Sequence, residues 1–180
     1  MNTHYFLGIK IPNNLAASII EARKGTNLHE THKTLPVLED LHITLFYLGW
    51  IEQNTLDQII QSCQNIDWKS FDLTTNGLSH FGSNHTPRVV YTALKESESL
   101  TSLQEEVTDI ISNFIEVDNP KEFNAHITIA KKWASNGFIS IEGFQLENTT
   151  FKVTNFSLFR VNPTNTPRYE EVCIMQSGGG

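Results

Sequence analysis

Two cysteines in 180 residues, Cys63 and Cys173, are too few and too isolated for a disulfide framework or a four-ligand zinc centre. Both are read as reduced thiols that pack as small apolar groups. Basic residues are scarce as well: 13 Lys+Arg against 20 Asp+Glu leave a formal charge of 13 − 20 = −7. A protein that tracks long duplex must neutralise many phosphates with one cationic face, and this chain lacks the cations; a single phosphate or a nucleic-acid end stays within reach. There is no apolar run of about 18 residues, and Met1 to Lys10 has no basic segment leading into an apolar one. A cytoplasmic protein without a membrane partner is therefore expected. No Walker-type glycine loop, Gly-x-Ser-x-Gly elbow or cysteine-nucleophile context occurs, which leaves ATP use, serine hydrolysis and thiol catalysis without support.

What is present is core material. Hydrophobic residues make up 39% of the chain and include 11 Phe and 3 Trp, more than a disordered chain carries. The length suits one domain over residues 1–177, with 178–180 (Gly-Gly-Gly) set aside as a flexible tail or cloning remnant. Periodicity predicts strands over 4–11, 41–49, 71–75, 89–94, 125–130, 151–161 and 169–175. Helices are predicted from 13 or 14 past Ala22, over 52–65, and over 99–115, where Leu100, Leu103, Val107, Ile110, Ile111 and Phe114 form one stripe. Residues 26–36 are polar, lack a period and read as loop, as do 82–87. The order β α β α β β α β β β indicates an α+β fold, mainly antiparallel, with helices covering one face.

One internal echo stands out: Leu41-His42-Ile43-Thr44-Leu45 against Ala125-His126-Ile127-Thr128-Ile129. With 7 His and 18 Thr in 180 positions, about 0.7 His-x-Thr pairs are expected by chance, so a lone pair means little. Four occur, but His29-Glu30-Thr31 and His32-Lys33-Thr34 lie in the polar stretch, whereas the two His-Ile-Thr copies are each set in an apolar strand. A strand alternates its faces, so His42 shares one face with Thr44 and His126 with Thr128, while the aliphatic residues between them face the core. Two such strands across a cleft present two imidazoles and two hydroxyls. One imidazole takes a proton from an attacking hydroxyl or water, the other donates to the leaving oxygen, and the hydroxyls stabilise charge at phosphorus. That is phosphodiester chemistry which needs no metal and no cofactor.

The twin motifs, the opening Tyr5-Phe6-Leu7-Gly8-Ile9-Lys10-Ile11-Pro12, and Phe123-Asn124-Ala125-His126-Ile127-Thr128-Ile129-Ala130-Lys131 resemble the 2H phosphoesterase superfamily, in particular its RNA 2′,3′-cyclic phosphodiesterases, also called 2′-5′ RNA ligases. The likeness extends through 77–91 and 156–169, nearly the whole chain. It implies a bilobal fold of two pseudo-symmetric lobes around a central cleft, helices on the outer faces, and one His-x-Thr strand from each lobe. It implies hydrolysis of a 2′,3′-cyclic phosphate at an RNA end or of a 2′-5′ linkage, with possible reversal as ligation. It further implies His126 acting on water and His42 on the leaving 3′ oxygen, a direction the sequence leaves open. Ala125 stands where the family commonly has Pro, and Tyr91 where a Trp is often found; both bear on the subfamily rather than on the reaction.

Lys131, three residues beyond Thr128, is the candidate cation for the phosphate, ahead of Lys132, Arg160, Arg168 and Arg88. Tyr169 and Phe46, with Tyr47 beside the latter, are candidates for stacking on a base. His80 and His85 flank a loop able to overhang the cleft, and His29-x-x-His32 lacks the further ligands a zinc site needs. The expected partner is an RNA end or a small oligonucleotide or cyclic nucleotide, bound by a monomer. Two other readings stand beside hydrolysis of RNA ends: degradation of a cyclic or 2′-5′-linked oligonucleotide second messenger, and a non-catalytic module that binds RNA ends or nucleotides.

Overall fold

A computed structural model describes residues 2–118 and 122–178. Its strands are β1 (His4–Lys10), β2 (His32–Thr34), β3 (His42–Trp50), β4 (Phe71–Gly82), β5 (Pro87–Leu94), β6 (His126–Trp133), β7 (Thr150–Val153), β8 (Asn155–Val161) and β9 (Tyr169–Gln176). The helices are α1 (Asn13–Arg23), the single turn α2 (Leu28–Thr31), α3 (Gln53–Gln64) and α4 (Glu98–Ser112), with a 3-10 turn at Leu38–Asp40. The fold is α+β. The strands join one sheet in the order β7-β4-β5-β6-β3-β1-β8-β9, with β2 added on β6, and every pairing is antiparallel.

The sheet has two halves, β7-β4-β5-β6 and β3-β1-β8-β9, that meet where Ile43 pairs with Ile127. Both isoleucines are fully buried, together with Leu41, Ile129 and Ala130, so the sheet's core face is continuous across the join. The helices supply the other wall of that core. Leu15, Ala16 and Ile19 of α1, Leu56 and Ile59 of α3, and Leu100, Leu103 and Val107 of α4 recur at helical spacing and are buried in the same cluster. Ser97 caps α4 by accepting from the Leu100 amide at 3.1 Å. Among the described residues, no helix is long and apolar enough to cross a membrane.

Three expectations need correction. Residues 26–36 are not all loop: Leu28, Thr31 and His32 are buried, and β2 pairs His32 with Trp133 and Thr34 with Lys131. Periodicity misses this because three residues on a sheet edge show no period. The strand expected at 71–75 runs on to Gly82 through an irregularity at Gly77, whose φ of +75° suits glycine. The segment 151–161 is two strands broken at Thr154: β7 pairs with β4, and β8 pairs with β1 and β9. Of the C-terminal glycines, the Gly178 amide donates to the Trp68 carbonyl at 2.6 Å, while residues 179 and 180 lie outside the described residues.

Candidate active site

The pairing of Ile43 with Ile127 arranges the site. In an antiparallel ladder the flanking positions then oppose crosswise, His42 to Thr128 and Thr44 to His126, and all four side chains rise from the face opposite the buried isoleucines. A local two-fold axis thus passes between the two tripeptides. Both imidazoles are set alike. The His42 Nδ1–H donates to the Asp40 carbonyl at 2.7 Å, and the His126 Nδ1–H donates to the Asn124 carbonyl at 2.7 Å, each acceptor lying two residues upstream. That tautomer leaves both Nε2 atoms without a proton and able to accept one. The Thr44 hydroxyl donates to His42 Nε2 at 3.0 Å.

The two-fold extends to the backbone. On β3, Gly8 pairs with Thr44 and Leu7 with Phe46, which makes Leu45 an extra residue; on β6, Tyr91 pairs with Thr128 and Val90 with Ala130, which makes Ile129 extra. Each bulge follows the motif threonine directly and inverts the alternation beyond it. The residue three past each threonine, Tyr47 in one strand and Lys131 in the other, therefore returns to the histidine face. The same inversion carries Phe46 to the other side, where it packs against the core, so the structure removes it from the base-stacking candidates and puts Tyr47 on the cleft instead. Gly8 is required opposite the first bulge: a Cβ there would sit 2.8 Å from the Ile43 carbonyl oxygen and 3.2 Å from the Phe6 ring. The Arg23 guanidinium donates to the bulged Ile129 carbonyl at 3.0 Å and to Pro36 at 2.8 Å, fixing the second.

Aromatic rings hold each histidine. The His42 ring lies 4.6 Å from Phe6 and 5.0 Å from Tyr169, which meets it edge-on; His126 lies 5.0 Å from Phe81, also edge-on, and 5.1 Å from Tyr91. Burial against these apolar faces pushes His42 down to about 4; the Asp40 carbonyl and carboxylate oppose the shift, and Lys131 and His126 add to it. His42 is neutral at pH 7 in the free protein.

A cavity of about 310 Å³ opens above His42, Thr44 and Thr128 and is walled by Phe6, Tyr47, Lys131, Arg168 and Tyr169. The Lys131 ammonium donates to the Tyr169 hydroxyl at 3.3 Å. His126 stands beyond this cavity's lining, and Arg88 lies over the Phe81 ring at 5.7 Å. Asp40 escapes sequence reasoning. Its carboxylate is buried and accepts from the Arg168 amide at 2.9 Å and the Tyr169 amide at 3.1 Å, which clamps the β8–β9 turn over the cleft. An acidic residue at the mouth of an apolar strand was its only signal.

The remaining candidates lie elsewhere. Arg160 pairs with Glu170 at 3.1 Å, and Lys132, in a left-handed conformation at φ +67°, is exposed. His85 meets Phe138 at a tilt, 5.3 Å between ring centres, and His80 keeps a buried Nδ1 without a partner among the described residues. His32 is buried between the Thr31 hydroxyl and the Pro87 carbonyl, 2.8 Å from each, whereas His29 is exposed beside Glu30.

Comparison with known proteins adds the following. A family model described as "2'-5' RNA ligase superfamily" matches residues 11–164. An RNA 2',3'-cyclic phosphodiesterase of Bacillus subtilis is 27% identical over 96% of this chain and 96% of its own. One from Geobacillus stearothermophilus is 27% identical over 94% of this chain and 56% of its longer sequence. The crystal structure of E. coli LigT complexed with 3'-AMP superposes with a TM-score of 0.81 at 18% identity, covering 99% of this chain and 100% of that one.

Proposed function

The chain belongs to the 2′-5′ RNA ligase superfamily; on that premise we propose that it is a two-histidine phosphoesterase that hydrolyses a 2′,3′-cyclic phosphate at an RNA or oligonucleotide end. The observation that supports this most directly is the crosswise apposition of two identically tethered imidazoles and two hydroxyls around Ile43 and Ile127. One Nε2 accepts the proton of an attacking water as its oxygen bonds to phosphorus. The other gives a proton to the ribose oxygen as the ring P–O bond breaks, leaving a phosphomonoester. Thr44, Thr128 and Lys131, which line the same cavity, donate to the non-bridging oxygens, where charge builds up. A base above the cleft has Tyr169 and Tyr47 to lie against.

His42 is neutral in the free protein. For it to serve the leaving 3′ oxygen while His126 serves water, it must gain a proton together with the substrate. An anionic phosphate against Thr44 and Thr128 supplies the opposing field. Nucleoside 2′,3′-cyclic phosphates assayed in EDTA test the proposal. Turnover should persist under chelation and fall about 10²–10⁴-fold in His42→Ala and in His126→Ala. Loss of activity with EDTA, or full activity in either variant, would refute it. Running 2′-5′ oligoadenylates alongside distinguishes cyclic ends from 2′-5′ linkages.

A further inference from the structure

Beside the catalytic cavity lies a second, smaller one of about 180 Å³. The two share Pro36, Asp40, Lys131, Arg168 and Tyr169 as a common wall, and the smaller adds Lys33 and Thr34 of β2. It is too small for a nucleoside and of a size for one phosphate group with its water. Three cations, Lys33, Lys131 and Arg168, meet around it against one carboxylate, Asp40, whose two oxygens are already taken by backbone amides. Among the described residues, the Lys33 ammonium and the Arg168 guanidinium have no hydrogen bond or ion pair, and Lys131 has only the Tyr169 hydroxyl. In a chain with 20 acidic residues, unpaired cations that converge on a concave surface mark a place for an anion.

We propose that this cavity is a subsite for the backbone phosphate one nucleotide inward from the reacting end, so that the protein prefers a cyclic-phosphate-terminated oligonucleotide to a cyclic mononucleotide. The inference rests on the reading of the catalytic cleft given above and names its substrate more narrowly. A terminal nucleotide whose cyclic phosphate lies against Thr44 and Thr128 carries its 5′ phosphate one ribose away. Of the space around the cleft, the part behind the Lys131–Arg168 wall bears the complementary charge. A mononucleotide with a free 5′ hydroxyl leaves it unfilled.

Lys33 separates the subsite from the chemistry because it is exposed and lines only the smaller cavity. The experiment compares kcat/KM for 2′,3′-cyclic AMP and for ApA ending in a 2′,3′-cyclic phosphate, at low and high salt, in the wild type and in Lys33→Gln and Lys33→Glu. The wild type should favour the dinucleotide by about tenfold or more at low salt, with the advantage shrinking as salt rises. Lys33→Glu should cancel most of that advantage through KM, Lys33→Gln part of it, and both should turn over 2′,3′-cyclic AMP within about twofold of wild type. Equal kcat/KM for the two substrates, or an advantage that survives Lys33→Glu, overturns the subsite and leaves the cyclic-phosphate reading standing. Turnover of neither substrate overturns both.

Discussion

A histidine in the unfolded chain titrates near 6.5, whereas burial holds His42 at about 4. Between those values the unfolded chain binds a proton that the folded one refuses. Folding stability should therefore be intact above about pH 6.5, fall as the pH drops below it, and level off below about 4. The interval from 6.5 down to about 4 corresponds to about 3 kcal/mol. His42 keeps some contact with solvent, which screens the effect, so about 2 kcal/mol is expected to be lost between pH 7 and pH 4.5 on its account. His32 is shifted in the same direction, also by burial, so the wild type alone does not isolate what His42 contributes. Urea unfolding of wild type and His42→Asn at both pH values does: the variant should lose about 2 kcal/mol less than wild type on acidification. Superimposable pH dependences would refute the assignment. NMR then follows the His42 ring itself. A phosphate anion about 4 Å away contributes about 4 kcal/mol at an effective dielectric of 20, so saturation with a nucleoside 2′-phosphate should raise its midpoint by about 3 units. A midpoint unmoved by a bound phosphate would show that His42 does not recharge with its ligand.

Asp40→Asn should cost about 2–3 kcal/mol in thermal or urea unfolding, because an amide offers one acceptor where two backbone amides now find carboxylate oxygens. The same variant should raise KM more than it lowers kcat, since Arg168 and Tyr169 lose their anchor. Gly8→Ala should destabilise by about 1–3 kcal/mol, because its Cβ meets the Ile43 carbonyl at 2.8 Å and β3 must shift to admit it; an unchanged urea midpoint would contradict the bulge geometry. Arg23→Met should cost about 1–3 kcal/mol by stranding the Pro36 and Ile129 carbonyls, and should weaken phosphate binding through Lys131 without touching the cleft, as inorganic phosphate titration would reveal.

The motif strands are legible because period-2 alternation and a repeated tripeptide are local signals: His42 with Thr44 and His126 with Thr128 share a face for reasons present in five residues each. Helix α4 is legible for the same reason, since its stripe is long. What escapes the sequence is set by pairing between distant segments. The bulges at Leu45 and Ile129 arise from how β3 and β6 meet β1 and β5, so simple alternation places Phe46 on the cleft and Lys131 on the core side, the reverse of what the ladders enforce. Nearness to Thr128 singles out Lys131 in the sequence, and the bulge at Ile129 is what turns it toward the cleft. Asp40 and Arg23 act through backbone atoms more than 100 residues away, and no spacing rule reaches that far. Strand β2 is too short for periodicity and exists because β6 offers it an edge.

The two-fold relation between the motif strands has a consequence for how a ligand chooses its direction. A frame with matched histidines, threonines and bulges offers an elongated ligand two head-to-tail placements of nearly equal merit. The contents of the frame break that tie: beyond one bulge stands Tyr47, beyond the other Lys131, and the Asp40 clamp folds Arg168 and Tyr169 over one side only. Each difference of about 1.4 kcal/mol between the two placements favours one of them tenfold. Reading polarity along a strand thus falls to a few unmatched side chains, while the matched ones are indifferent to it.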